Sequence, residues 1–198
     1  MSDKPIVPIN CFFQGCYNPD YERQIKKAKE KCFEYNKLCP NDIEAQRVIL
    51  NELLGKMGKD AVITPPFWCD YGYNISVGDS FYSNHNMIIQ DGARVTFGNN
   101  VFVAPNCCFT TAEHAIDPDM RKAGVEIAKP IIIGNNVWIG AGCTILAGVE
   151  IGDNTVIGAG SVVTGSIPAN VVAYGVPCRV AREITEEDKH TYPTYIPQ

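Results

Sequence analysis

The stretch IGNNVWIGAGCTILAGVEIGDNTVIGAGSVV, from Ile133 to Val163, carries an aliphatic residue at every sixth position. These residues, called the main column below, are Ile133, Ile139, Ile145, Ile151, Ile157 and Val163. Counting back from Ile133 in multiples of six also reaches Phe109, Val103 and Phe97. Six is a multiple of the two-residue period of a strand, so each repeat returns the same side chains to the same face. The period predicts short strands that bend at regular intervals and stack into a parallel β-helix.

Two further features of the repeat support this prediction. Small or β-branched residues form a second column with the same period, at Val137, Cys143, Val149, Thr155 and Ser161. Glycine, asparagine and aspartate fill most remaining positions, and these residues tolerate the positive φ angles of tight corners. A β-sandwich is disfavoured because its irregular strands do not keep one phase.

Size and charge limit the functions to consider. The chain has 198 residues, enough for one core with a small appendage, and its net charge is −5 with scattered basic residues. No basic patch for nucleic acid is present. No apolar stretch approaches the roughly 20 residues that span a bilayer, and the N-terminus lacks the apolar region of a signal peptide. We expect a cytoplasmic protein with no membrane partner.

The cysteine pattern argues against a disulfide framework and against a structural zinc site. There are nine cysteines, an odd number, and no CxxC pair. Cys143 belongs to the small-residue column, and we expect it to be an inert packing residue.

The chain divides into three regions. Residues 1–60 are predicted to contain a helical hairpin, with one helix over 20–38 that Asp20 can cap and a second from Asn41 or Asp42 to about Met57. The β-helix is predicted over 61–165, with a weak repeat from Ile75. Residues 166–198 form a tail, with a turn and strand over 175–182, and the acidic stretch 183–188 either opens a short helix or frays.

Residues 110–130 carry no six-residue phase and are predicted to leave the β-helix as a loop. Excursions from a rigid repeat are where function concentrates. His114 stands at the base of this one, and imidazole is a suitable general base for a hydroxyl near neutral pH. Glu113 or Glu126 can orient it, and the sequence does not choose between them.

Five segments together resemble the maltose and galactoside O-acetyltransferases, which are hexapeptide-repeat acyltransferases. These segments are 81–86 (FYSNHN), 104–106 (APN), His114, 133–140 (IGNNVWIG) and 175–182 (GVPCRVAR). The resemblance implies a mainly β fold, a left-handed parallel β-helix shaped as a triangular prism. It also implies acetyl transfer from acetyl-CoA to a sugar hydroxyl, without a metal, by a homotrimer with active sites between neighbouring subunits.

The resemblance assigns roles to residues of this chain. His114 matches the catalytic histidine, which removes the proton as the sugar oxygen attacks the thioester directly. Asn84 matches a residue that serves both the acceptor and the acyl donor, and Asp70 matches an acceptor contact. Asp91 and Gly92 fall where galactoside enzymes carry two acidic residues, so the second sugar contact differs here.

For the cofactor, the resemblance implies a groove lined by main-chain groups of small residues, with Trp138 beside the thioester. The cofactor residues are Asn84, Trp138, Ala141, Ala159, Thr164, Gly165, Arg179 and Arg182. Gly165 stands where galactoside enzymes commonly have lysine, which leaves Arg179 and Arg182 as the cations for the nucleotide phosphates.

Three alternatives are weighed against this function. An acetyltransferase of the same fold with a non-sugar hydroxyl acceptor needs only small changes around Asp70 and Gly92. A γ-type carbonic anhydrase needs three zinc-binding histidines, and this chain has three histidines in all, one of them in the acidic tail. A noncatalytic trimeric scaffold does not explain Asn84, His114 and Trp138 together.

Overall fold

The structure is a computed structural model that describes residues 7–192. Its helices are α1 (Pro19–Asn36), α2 (Ile43–Leu53), α3 (Pro118–Lys122) and a 3-10 helix, Glu186–His190. Its strands, in chain order, are β1 (Phe12–Gln14), β2 (Lys56–Met57), β3 (Val62–Ile63), β4 (Phe67–Cys69), β5 (Ile75–Val77), β6 (Tyr82–Ser83), β7 (Met87–Gln90), β8 (Val95–Phe97), β9 (Phe102–Val103), β10 (Cys108–Thr110), β11 (Ala112–His114), β12 (Val125–Ala128), β13 (Ile131–Ile133), β14 (Trp138–Ile139), β15 (Thr144–Ile145), β16 (Glu150–Ile151), β17 (Val156–Ile157), β18 (Val162–Val163), β19 (Val171–Tyr174) and β20 (Arg179–Glu183). Within this range no helix has the length and apolar content to span a bilayer.

Successive short strands join three parallel sheets in rotation, which makes a triangular prism. The first sheet has the order β2-β5-β8-β13-β16, the second β3-β6-β9-β14-β17-β19 and the third β4-β7-β10-β15-β18. Each coil gives one strand to each sheet, and β20 extends the second sheet in the antiparallel sense. The parallel β-helix predicted from the six-residue period is confirmed.

Both predicted columns point into the prism. Every aliphatic or aromatic residue of the main column, from Phe97 to Val163, is at most 2% exposed, and the small-residue column from Val137 to Ser161 is equally buried. Burying one large apolar side chain contributes roughly 1.5–3 kcal/mol, so the stacked column is the main source of stability. Thr155 and Ser161 are accommodated because their hydroxyls donate to backbone carbonyls of Pro168 and Gly158.

One corner of the prism requires glycine because neighbouring coils approach closely there. A Cβ on Gly78 would lie 2.4 Å from the carbonyl oxygen of Gly98, and one on Gly98 would lie 2.7 Å from the backbone of Gly134. Next to this column runs an asparagine ladder with side-chain bonds of 2.9–3.2 Å, all at positive φ: Asn100, Asn136, Asn154 and Asn170. The predicted use of Asn at positive φ in the corners is therefore confirmed, whereas the glycines of this corner are required by the close approach of neighbouring coils and not by a positive φ.

The predicted helical hairpin closes the first coil. Helix α1 is capped by Asn18 and not by Asp20, since the Asn18 side chain accepts from the backbone of Asp20 at 3.0 Å and Pro19 takes the first helical position. Asp42 caps α2, as one of the two predicted alternatives. The buried residues of both helices join the prism core: Ala28, Cys32, Tyr35, Ile49, Leu50 and Leu53.

The prism extends beyond its predicted ends. Helix α2 ends at Leu53 because residues 56–57 already pair with β5 as the first strand of the first sheet. At the other end, β19 continues the second sheet past residue 165. The predicted strand of the tail is β20, and the acidic stretch opens the 3-10 helix.

Candidate active site

The excursion between β10 and β13 is an ordered hairpin and not the loop that the sequence predicted. Strand β11 pairs antiparallel with β12, and β12 pairs on its other side with β1 from the N-terminus. Asp117 caps α3 between the two strands by accepting from the backbone of Met120 at 2.9 Å. Gly124, at φ +80°, then turns the chain into β12. This three-stranded sheet fixes the side chains at the end of β11.

His114 is the last residue of β11 and lies opposite Glu126 of β12. Its Nδ1 is 3.6 Å from Oε1 of Glu126, and the two side chains are 56% and 21% exposed. That separation is slightly longer than a hydrogen bond, as is common for catalytic pairs without substrate. Glu113 instead forms an ion pair with Lys129 at 2.8 Å. The structure therefore selects Glu126 as the carboxylate beside His114.

Cys16 completes this cluster and was missed by the sequence analysis. Its thiol donates to Oε1 of Glu126 at 3.1 Å, across 110 positions of the chain. Burial, the hydrogen bond to Glu126 and the charge of that carboxylate raise the pKa of Cys16 to about 11. Glu126 packs directly on Gly15, where a Cβ would meet Oε2 at 1.9 Å. No local sequence pattern predicts this contact, because it depends on the pairing of β1 with β12.

Asp70 and Asp91 lie at the edge of the prism from which the hairpin departs. Asp91 is fully buried, and its Oδ1 accepts from the backbone of Asp70 at 3.0 Å and of Tyr71 at 2.8 Å. Burial raises the pKa of Asp91 to about 6, and its Oδ2 has no hydrogen-bond partner in the described part of the chain. Asp91, which the resemblance assigned to the acceptor, thus stabilises the backbone of Asp70 and Tyr71 in this structure.

Asp70 itself is half-buried and electrostatically coupled to the hairpin. Burial raises its pKa, the charge of Lys29 opposes that rise, and the charge of Glu126 adds to it. Gly92, beside Asp91, has room for a side chain. A Cβ there would make ordinary contacts of 3.6 Å with Oγ1 of Thr111 and 3.7 Å with Cβ of Ala112.

Asn84 and the predicted cofactor residues follow a different edge of the prism. Backbone bonds run from Asn84 to Val103, from Ala104 to Ile139 and from Gly140 to Ile157, so these corners stack coil upon coil. Ala141 and Ala159 follow the same corners, and the backbone of Gly160 donates to Ala141 at 2.7 Å. Trp138 is 54% exposed on the second sheet, beside Phe102 and Val156.

The predicted phosphate contacts lie at the C-terminal end of the prism. Thr164 and Gly165 follow β18, and nothing lies within 4 Å of a Cβ built on Gly165. Arg182 already forms a bidentate ion pair with Asp188, at 2.7 and 2.8 Å. Arg179 donates to the backbone carbonyl of Cys178 at 2.8 Å. Of the two arginines, Arg182 must therefore exchange its partner to meet a phosphate.

Within one chain the predicted site residues other than the phosphate contacts form two separate groups. His114, Asp70 and Asp91 belong to the edge that follows the third sheet, and Asn84, Trp138 and the two alanines belong to the edge that follows the second. The structure brings the members of each group together. It does not bring the two groups together on one edge.

Comparison with known proteins gives two family matches. Residues 16–58 match the maltose acetyltransferase hexapeptide capping motif, and residues 130–165 match the bacterial transferase hexapeptide repeat (six repeats). The first match covers the helical hairpin and the cluster residue Cys16, and the second covers the last coils of the prism.

Two curated relatives and one solved structure cover most of the chain. The Saccharomyces cerevisiae protein YJL218W is 53% identical over 186 residues, 94% of each chain. The galactoside O-acetyltransferase of Escherichia coli (strain K12) is 46% identical over 166 residues, 84% of this chain and 82% of that one. A structure of a galactoside acetyltransferase in complex with coenzyme A superposes with a TM-score of 0.88 at 43% identity, and covers 92% of this chain and 91% of that one.

Proposed function

Because the chain belongs to the maltose and galactoside O-acetyltransferase family of hexapeptide-repeat enzymes, we propose that it acetylates a sugar hydroxyl with His114 as general base. It is an acetyl-CoA-dependent acetyltransferase of this type. The observation that carries the assignment of the base is the position of His114 on an ordered hairpin, with Nδ1 facing Glu126 at 3.6 Å.

The pairing of His114 with Glu126 favours the tautomer that the reaction needs. A proton on Nδ1 directed at the carboxylate leaves the lone pair on Nε2. That lone pair takes the acceptor proton as the hydroxyl oxygen attacks the thioester carbonyl. Glu126 stabilises the imidazolium that forms. When the C–S bond breaks, the imidazolium returns its proton to the leaving thiolate, so no acyl-enzyme is required.

The acceptor is proposed to lie beside Asp70 and Asn84. A half-buried carboxylate and an amide are the groups that fix sugar hydroxyls, and the amide can also donate to the developing oxyanion. Asp91 supports this site through the backbone of residues 70 and 71. Gly92 supplies no side chain where galactoside enzymes carry a second acidic residue, and the space above it is open. The proposed acceptor therefore includes maltose- and glucose-like sugars as well as galactosides.

The proposed donor groove follows the corner column at the end of the second sheet. Trp138 forms its wall near the thioester, and Ala141 and Ala159 offer main-chain groups to the pantetheine arm. Thr164, Gly165, Arg179 and Arg182 lie at the phosphate end. Arg179 is the stronger candidate because Arg182 is held by Asp188.

The division of the site between two edges supports a homotrimer. The hairpin edge of one prism and the corner column of another together contain the proposed base, the acceptor contacts and the residues of the pantetheine arm. The second sheet also exposes an apolar row, with Val62, Tyr82 and Phe102 at 46%, 37% and 52% exposure beside Trp138. Exposed apolar patches of this kind mark contact surfaces, and a second copy of the chain is the proposed occupant.

A thiol-release assay tests donor, reaction and acceptor together. The purified protein is mixed with acetyl-CoA and a panel of maltose, glucose, galactosides and non-sugar alcohols. We expect release of CoA with sugars, and a loss on the order of 10²–10⁴ in turnover for His114→Ala, the range for a lost general base. His190→Ala, a change of an exposed histidine in the 3-10 helix, is the matched control. Near-normal turnover of His114→Ala would overturn the assignment, and turnover confined to non-sugar alcohols would overturn the acceptor.

A further inference from the structure

Three side chains that commonly bind zinc converge beside the proposed base: Cys16, His114 and Glu126. One donor atom from each lies within 4.8 Å of the other two. The cluster takes His114 from the outer strand β11, Glu126 from the central strand β12 and Cys16 from the turn after β1, so no short sequence motif encodes it.

The backbone around Cys16 is held firmly against the hairpin. The N–H groups of Gly15 and Cys16 both donate to the carbonyl of Gly124 at 3.1 Å. The side chain of Gln14 donates to the carbonyls of Cys16 at 3.0 Å and Ala123 at 2.7 Å. A Cβ on Gly124 would lie 2.8 Å from Cβ of Cys16. The thiol is therefore positioned before any ligand arrives.

Two of the three donor distances are close to those of a tetrahedral zinc site. Bonds of about 2.3 Å to sulfur and about 2.0–2.2 Å to nitrogen and oxygen place neighbouring ligand atoms about 3.3–3.6 Å apart. Here Sγ of Cys16 is 3.1 Å from Oε1 of Glu126, and Nδ1 of His114 is 3.6 Å from the same oxygen. The third pair, Sγ of Cys16 and the ring nitrogen of His114, lies within 4.8 Å, so an ion would draw these two side chains together around it.

The chemistry and access of the cluster also suit a divalent ion. A thiolate, an imidazole and a carboxylate are ligands that Zn²⁺ accepts, and the two anionic ones neutralise its charge. The His114 side chain is 56% exposed, so an ion can enter from solvent and keep water as a fourth ligand. Binding releases the thiol proton of Cys16 to the solvent.

We propose that Cys16, His114 and Glu126 form an inhibitory Zn²⁺ site. A metal on Nδ1 of a neutral imidazole places the remaining proton on Nε2. That nitrogen then has no lone pair for the acceptor proton, so the metal inactivates the base. The inhibition rests on the proposed role of His114, whereas the binding site does not.

Cobalt substitution tests the site independently of activity. Metal-free protein is titrated with Co²⁺, and a thiolate-to-cobalt charge-transfer band is expected for the wild type. Cys39→Ser, a change of an exposed cysteine between α1 and α2, is the matched control and should keep the band. Cys16→Ser should lose it. A wild type without the band, or a Cys16→Ser protein that retains it, overturns the site.

Zinc inhibition tests the consequence. We expect Zn²⁺ to inhibit acetyl transfer by the wild type and by Cys39→Ser, with full recovery after chelation by EDTA. Each variant is compared with its own metal-free rate. Removing a residue that only supports a metal ligand weakens metal binding roughly 10- to 100-fold. Cys16→Ser removes a ligand itself, so the inhibitory Zn²⁺ concentration should rise by at least that factor.

The two experiments separate the two hypotheses. A cobalt band together with full activity at saturating Zn²⁺ overturns the role of Nε2 in His114 and with it the inhibition, but leaves the metal site established. Absence of the band overturns the metal site and leaves the acetyl transfer mechanism untouched. If Cys16→Ser does not fold, Cys16→Ala provides the same comparison, and Glu126→Gln, which keeps the thiolate, should keep the band but require more Co²⁺ to reach it.

Discussion

Replacing Glu126 with glutamine is the sharpest test of the hairpin's catalytic role. The change keeps the size of the side chain and removes its charge 3.6 Å from Nδ1 of His114. Two unit charges at that separation interact by about 1 kcal/mol in bulk water and by about 5 kcal/mol at the effective dielectric constant of a protein surface. Since the His114 side chain is more than half exposed, the lower part of this range applies, about 1–2 kcal/mol.

In the proposed mechanism, that energy stabilises the imidazolium only after it has taken the acceptor proton, so its loss is expected to lower kcat. We expect turnover to fall by about 5- to 30-fold, with the KM for acetyl-CoA unchanged. Initial rates of CoA release at saturating acceptor measure the effect. Glu113→Gln is the matched control, because Glu113 is the neighbouring carboxylate of the same hairpin and pairs with Lys129. Turnover of Glu126→Gln within twofold of the wild type, or an equal loss in Glu113→Gln, would refute the assignment of Glu126.

Three further predictions concern the core, the phosphate contact and the buried carboxylate. Ile145→Asp places an unpaired charge in the prism and should prevent folding. Thr144→Asp, which points outward on the same strand, is the control and should give a folded protein by circular dichroism. A stable Ile145→Asp protein would contradict the stacking argument. Gly165→Lys should lower the KM for acetyl-CoA by about 2- to 5-fold, because one exposed charge pair contributes up to about 1 kcal/mol. An equal change in Gly165→Met would rule out a charge contact. Burial raises the pKa of Asp91 from 3.8 to about 6, so the folded state binds the Asp91 proton more tightly than the unfolded state does. The stability that this proton contributes is fully present below about pH 4 and is lost as the pH rises through 6. Urea unfolding from pH 4 to 7 should therefore show the wild type losing about 3 kcal/mol relative to Asp91→Asn, and a difference independent of pH would contradict this.

The two inward columns of the prism, from Phe97 onward, could be predicted residue by residue from the sequence, whereas buried residues of the earlier coils such as Phe81 and Met87 do not share their phase. The six-residue period is a local property that every coil repeats, so Ile139 and Val137 meet the same environment as their counterparts one coil away. The hairpin of α1 and α2 was predicted from its amphipathic pattern for the same reason. The boundaries were less accurate, because residues 56–57 have no phase of their own and become a strand only by pairing with β5.

The sequence by itself determined the repeat, the inward columns, the family resemblance and the candidate base His114. Only the tertiary structure decided that Glu126 and not Glu113 faces that base, that Cys16 joins them, and that Asp91 lies beneath the site. It also divided the proposed base and acceptor contacts from the residues of the pantetheine arm, on two edges of the prism. The physical reason is that a periodic pattern fixes which face a side chain takes, whereas antiparallel pairing between segments 110 positions apart fixes which side chains meet.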